Sequence, residues 1–177
     1  FRSRPTELRI GLACTSPLIE RVDPEVEAAV RRAAAKLEEL GHRVEEGGAI
    51  RGEIDEFVPL MARMVANVPL LPFTGSLLEP TTQWMRERGR KVTNAEAAAQ
   101  REMLEKRIDA WFGDYDAWIT PTVAVPTPKV GAYRDLDGEG VFRAAAPLGA
   151  FTAPFNVSGH PAVSVRAGRS SEGWPIG

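Results

Sequence analysis

Residues 8–46, LRIGLACTSPLIERVDPEVEAAVRRAAAKLEELGHRVEE, constrain the fold of this chain more than any other stretch. LRIGL at 8–12 is a short apolar run bounded by Pro5 and by the Ser16-Pro17 turn, and it reads as a buried strand. Asp23 then offers a side-chain cap, and Pro24 suits the first position of a helix. Val26, Val30, Ala33, Leu37 and Leu40 recur at steps of four and three, one apolar stripe with Glu27, Arg31, Glu38 and Glu39 mostly away from it. Gly41 stops the helix, and Arg43-Val44-Glu45-Glu46 reads as a second strand. Strand, amphipathic helix, strand predicts an α/β protein whose sheet is covered by helices.

The rest of the chain supplies more helix than strand. Residues 55–68 carry Phe57, Met61, Met64, Val65 and Val68 at helical spacing, with Pro59 expected in the first turn and Pro69 and Pro72 ending the helix. A shorter helix is predicted from Pro80 to Arg88, closed by Gly89. Thr93-Asn94-Ala95-Glu96 is a capping-box pattern opening a long helix with Ala97, Leu104, Ile108 and Trp111 on its apolar side. DAWITPT at 116–122 reads as a strand. The Pro- and Gly-rich stretch at 123–140 reads as a long loop, the best internal boundary but no reason to split residues 1–177. Residues 141–156 read as an interrupted helix. PAVSV at 161–165 alternates like a strand, a turn follows at 169–173, and WPIG starts a return strand.

Local chemistry is sparse. With two histidines, one cysteine and no HExxH pattern, neither a metal nor a cofactor is expected. His42 follows a helix-ending glycine, and His160 sits in a Gly-His-Pro turn two residues after Ser158, without the G-x-S-x-G context of a nucleophile elbow. Cys14 follows a strand and reads as a small hydrophobe. A net charge of −2 gives no reason to expect a nucleic-acid or membrane partner. No apolar run approaches a membrane span, the opening FRSRPTELRIG lacks a leader's apolar core, and a lone cysteine fits a reducing compartment, so the expected location is cytoplasmic. The chain opens on Phe1, its first methionine is Met61, and it closes inside a return strand; the expectation is a piece of a longer polypeptide.

The closing segment FTAPFNVSGHPAVSVRAG…EGWPIG resembles the C-terminal hallmark of the amidase signature family at Phe155, Asn156, Ser158, Gly159, Pro161, Ala162, Gly173, Pro175, Ile176 and Gly177. DAWITPTVAVPTP is similar to that family's Asp, apolar strand, Thr-Pro-Thr segment. The strand–helix–strand at 8–46 resembles the unit that opens the second half of such enzymes. The resemblance implies the C-terminal part of an α/β/α fold with a mixed sheet flanked by helices, residues 1–177 forming one partial domain. It implies hydrolysis of carboxylic amides through a Ser–Ser–Lys triad, in which a neutral lysine acts through a bridging serine on the nucleophile.

No residue of this chain matches the triad's context. Gly47-Gly48 is followed by Ala49-Ile50, Ser170-Ser171 lies between Arg169 and Glu172, and Lys36, Lys91, Lys106 and Lys129 sit in unrelated surroundings. The expected partners are therefore the missing N-terminal half of the same enzyme and a small-molecule amide, with the isolated chain inactive and prone to self-association through exposed strand edges. Thr120, Thr122, Phe155 and Asn156, at strand ends or in the adjoining segment, are the candidates for the substrate pocket. Two other readings stay open: a stand-alone non-catalytic binding module of the same fold, and a small hydrolase using Cys14 or Ser158 with a histidine.

Overall fold

A computed structural model describes residues 7–71 and 74–177. Pro5 and Pro72, read above as element boundaries, lie outside the described residues. In chain order the elements are β1 (Arg9–Leu12), α1 (Pro24–Glu39), β2 (Arg43–Glu46), α2 (Ile54–Asn67), a 3-10 turn (Gly75–Leu77), α3 (Pro80–Gly89), α4 (Asn94–Phe112), β3 (Ala117–Ile119), α5 (Gly138–Gly149), α6 (Thr152–Ser158), β4 (Gly168–Arg169) and β5 (Pro175–Ile176).

The α/β architecture expected from the sequence is present. Strands β2, β1 and β3 form a parallel sheet in that order, with Ile10 opposite Val44 and Ala117, and Gly11 opposite Glu45 and Trp118. Among the described residues, antiparallel pairing is confined to the separate β4–β5 hairpin near the C-terminus. Side chains alternate across the sheet, so Leu12, Val44 and Ile119 share one face, where α1 covers them with Val30 and Ala34. On the other face Trp118 lies across the bare backbones of Gly11 and Gly47. Trp111 of α4 stacks on it at 3.8 Å. A side chain at either glycine would occupy the space of the Trp118 ring.

Local signals account for the helix boundaries. The Asp23 carboxylate accepts the Glu25 and Val26 N–H groups at 2.9 and 3.3 Å, and Gly41 beyond α1 has a φ of +93°. Glu96 N–H donates to Thr93 Oγ1 at 3.1 Å while the Glu96 carboxylate accepts Thr93 N–H at 2.8 Å, the reciprocal box at the start of α4. Asp137 caps α5 through Gly140 N–H at 2.7 Å, so the loop expected at 123–140 ends at 137.

Several expectations are corrected. Met61, Met64 and Val68 are exposed, and α2 instead buries Phe57, Val58, Leu60 and Ala62. The cause is tertiary: α3 packs so closely that Gly89 meets the Ala62 backbone, and α4 covers Phe57 from another side. Pro59 is the sixth residue of α2, not in its first turn, and the helix continues past it although Asp55 loses a donor there. Leu40 is exposed beyond α1. Residues 161–165 form no strand; Val163 is 85% and Val165 65% exposed, and among the described residues no neighbouring strand offers them a ladder. Alternation specifies a strand only where one face is buried and a partner completes the hydrogen bonds. Among the described residues, no helix is long and apolar enough to cross a membrane.

Candidate functional site

The strand order creates the site. From β1 the chain passes through α1 to β2 on one side, then returns to lay β3 on the other side of β1. The segments leaving β1 and β3 therefore diverge, and an open α/β sheet binds ligands in the crevice at the carboxyl ends of strands at such a switch point. A crevice is found there, enclosing about 30 Å³.

Thr15 and Ser16 after β1 and Thr120 after β3 bring hydroxyls to it. Phe57 of α2, Trp111 of α4, Phe151, and Phe155 of α6 form aromatic walls, and residues 50–52 after β2 form the rim. Phe155 meets Trp111 edge-on at 6.1 Å between ring centroids. Trp111 is tied down by donating Nε1–H to the Gly48 carbonyl at 2.7 Å.

Of the four residues singled out from the sequence, Thr120 and Phe155 line this crevice, and Thr122 and Asn156 do not. Thr122 anchors the C-terminal segment instead. Its Oγ1 is 2.8 Å from Ser164 Oγ, and its N–H donates to the Gly177 carbonyl at 3.1 Å. Asn156 is exposed on α6. The sequence reading missed Arg51, placed Trp111 only on an apolar helix face, gave Ser16 only a turn and gave Thr15 no role. Their common signal is position just past a strand of a βαβ unit, and for Trp111 the packing partner is seven residues further along the chain.

The rim is fixed by a bidentate ion pair. Arg107 of α4 donates to both Glu56 oxygens at 2.7 and 2.9 Å, and its Nη1 also donates to the Arg51 carbonyl at 3.3 Å. The Arg107 guanidinium holds the Glu56 carboxyl below the usual carboxylate range.

The polar side chains of the crevice are already engaged within the fold or lack a neighbouring base among the described residues. Ser16 Oγ donates to the Ala150 carbonyl and accepts Leu18 N–H, both at 3.3 Å. Among the described residues no lysine or histidine lines the crevice. Lys36 and Lys106 are paired with Glu39 and Glu102, each at 2.7 Å. Cys14 is 6% exposed, and burial pushes its thiol up to about 11 against the opposing pull of Arg31, so it stays protonated and unreactive at neutral pH. Among the described residues, no three His, Cys, Asp or Glu side chains gather to hold a metal ion.

One constellation outside the crevice has the composition of a triad. Ser158 Oγ lies 2.7 Å from His160 Nδ1, and Asp109 lies 3.9 Å from His160 Nε2. Two facts argue against catalysis. The Asp–His separation exceeds a hydrogen bond. Ser158 also closes α6, where the free carbonyls of a helix end repel the oxyanion of an acyl-transfer intermediate. His160 stacks flat on Phe112 at 4.5 Å and joins α6 to the end of α4.

A parallel α/β sheet with a hydroxyl- and aromatic-lined crevice at its switch point defines the class: an open-sheet α/β protein with a candidate ligand crevice beside its strand ends. The Amidase family model matches residues 1–177, and the chain belongs to that family. It is 34% identical over 196 residues to 6-aminohexanoate-cyclic-dimer hydrolase of Pseudomonas sp. (strain NK87), covering 98% of this chain and 40% of that protein. It is 33% identical to putative amidase AmiC of Mycobacterium tuberculosis (strain ATCC 25618 / H37Rv), covering 98% of this chain and 39% of the relative. Among solved structures, 6-aminohexanoate cyclic dimer hydrolase complexed with substrate superimposes with a TM-score of 0.77 at 31% identity, over 98% of this chain and 41% of that one. A bacterial aryl acylamidase of the amidase signature family, at 20% identity and a TM-score of 0.71 over 96% of this chain and 39% of that one, shares the fold. The chain thus spans about 40% of the length of the curated relatives it matches.

Proposed function

We propose that this chain is the C-terminal portion of an amide-bond hydrolase and forms one wall of its substrate crevice, with the Ser–Ser–Lys triad carried by a part of the enzyme outside these residues. The observation that carries the reading is the composition of the crevice: hydroxyls and aromatic walls at a switch point, with no lysine or histidine base among its lining residues. Family membership and the limited share of the relatives' length support it.

In this reading the chain binds and orients. The aromatic walls desolvate the apolar part of the amide, and the hydroxyls of Thr15 and Thr120 hold polar atoms at the crevice. The triad serine attacks the carbonyl carbon and loses its proton through the bridging serine to the neutral lysine. The same relay protonates the departing amine, and water then cleaves the acyl-serine ester. The exposed run at 161–165 meets the remaining part of the enzyme and acquires its ladder there, which accounts for a strand-like pattern left open to solvent.

Release of amine from simple aryl and aliphatic amides tests this in two preparations. The intact enzyme is expected to turn them over, and the isolated 177-residue chain is not. Turnover by the isolated chain, abolished by a point substitution within it, would overturn the reading.

A further inference from the structure

We infer that Arg51 reads an anionic group on the substrate, so that the enzyme prefers amides that carry a carboxylate. This rests on the amide-hydrolysis reading above and deepens it.

Arg51 is the one charged residue among those lining the crevice. It also borders an open groove formed with Pro17, Gly52, Glu53 and Glu56, so it stands where the apolar slot meets solvent. Its backbone is held while its side chain is left unengaged. The Arg51 carbonyl accepts from Arg107. Gly52 follows with a φ of +154°, and a Cβ there would meet Glu56 Oε2 at 3.0 Å and Arg107 Nη1 at 3.2 Å. Among the described residues the Arg51 guanidinium makes no ion pair, although carboxylates are near. Glu56, one of the two acids that share the groove with it, is occupied by both nitrogens of Arg107. Glu53 is the remaining opposing charge on the rim.

A guanidinium on a fixed loop beside an apolar wall is suited to a carboxylate. Its planar fork matches the two oxygens, and its exposed place at the mouth of the slot leaves it open to a ligand's charged end. A guanidinium lying along an apolar rim only to cover it would do neither, and its replacement would affect charged and neutral ligands alike.

The test compares two amides of one shape, one ending in a carboxylate and one in a hydroxymethyl group, on the intact enzyme. The measured quantity is the ratio of their kcat/KM values. Arg51→Gln is expected to lower that ratio about tenfold, equivalent to about 1.4 kcal/mol, Arg51→Lys to lower it less, and Glu53→Gln to raise it. Quenching of Trp111 fluorescence by an ω-phenylalkanoate and by the matching alcohol reads binding without turnover, and the same order is expected. An unchanged ratio in Arg51→Gln, or an equal loss on both amides, overturns the inference while leaving amide hydrolysis intact. If neither amide is cleaved but the carboxylate quenches Trp111 more strongly than the alcohol in wild type and not in Arg51→Gln, the hydrolase reading falls and the role of Arg51 in anion recognition stands.

Discussion

Gly47→Ala is the substitution that connects the sheet most directly to the crevice. Gly47 follows β2, is not among the residues with positive φ, and accepts alanine without backbone strain. The obstacle is Trp118, whose outer ring edge occupies the place of the added methyl. Trp118 cannot retreat freely, because Gly11 lies beneath it and its Nε1–H donates to the Phe112 carbonyl at 3.1 Å. Relief therefore moves the ring against Trp111, whose 3.8 Å stack and hydrogen bond to Gly48 shape the aromatic wall. Overpacking costs about 1–3 kcal/mol, the aromatic pair contributes about 0.5–1.5 kcal/mol, and one hydrogen bond about 1 kcal/mol. These overlap, so the expected loss is about 3 kcal/mol rather than the full sum. Urea unfolding of the intact protein followed by near-UV circular dichroism measures it, together with a weakened signal from the stacked indoles. Adding Trp118→Leu makes room for the methyl, so the double variant is expected to lose less than the two single losses combined. A Gly47→Ala protein with wild-type stability and an unchanged aromatic signal would refute this account of the wall.

The Glu56–Arg107 pair is about two-thirds shielded from solvent and contributes about 1 kcal/mol. Because folding lowers the Glu56 pKa, that stability is present above the ordinary value of 4.5 and is lost as the pH falls through the lower folded value. The stability gap between wild type and Glu56→Gln is therefore expected to close in acid, and a pH-independent gap contradicts the pairing. Moving the Cys14 thiol from 9.0 to about 11 cuts its thiolate fraction about a hundredfold; alkylation at pH 7.5 is expected to be at least that much slower in the folded than in the unfolded protein, and equal rates contradict its burial. Ser158→Ala is expected to leave amide hydrolysis within about twofold of wild type, whereas a loss of about a thousandfold would make the Ser158–His160 pair catalytic.

The legible parts of the fold are those whose causes are local. Asp23, Pro24 and Gly41 mark α1, and Thr93 with Glu96 marks α4, because each acts on backbone groups within a few residues. The buried face of α2 was not legible, since Val58 and Ala62 displace Met61 and Met64 only because α3 and α4 approach where they do. The run at 161–165 carries a strand's pattern without the neighbour that makes a strand. In the site, Thr120 and Phe155 were singled out from segments that resemble a family pattern, and the same route chose Thr122 and Asn156, which face elsewhere. Arg51 and the Trp111 wall depend on how the loop after β2 meets α4, a contact spanning more than fifty residues that no local pattern encodes.

The most direct measurement is to treat the intact enzyme with a serine-directed covalent inhibitor that mimics an acylating amide and to map the modified residue by mass spectrometry. The account expects one labelled serine, outside the 177 residues of this chain, with Arg51 and Trp111 shielded from modification while the inhibitor is bound. A label on Ser16, Ser158 or any other residue of this chain, in proportion to lost activity, contradicts it.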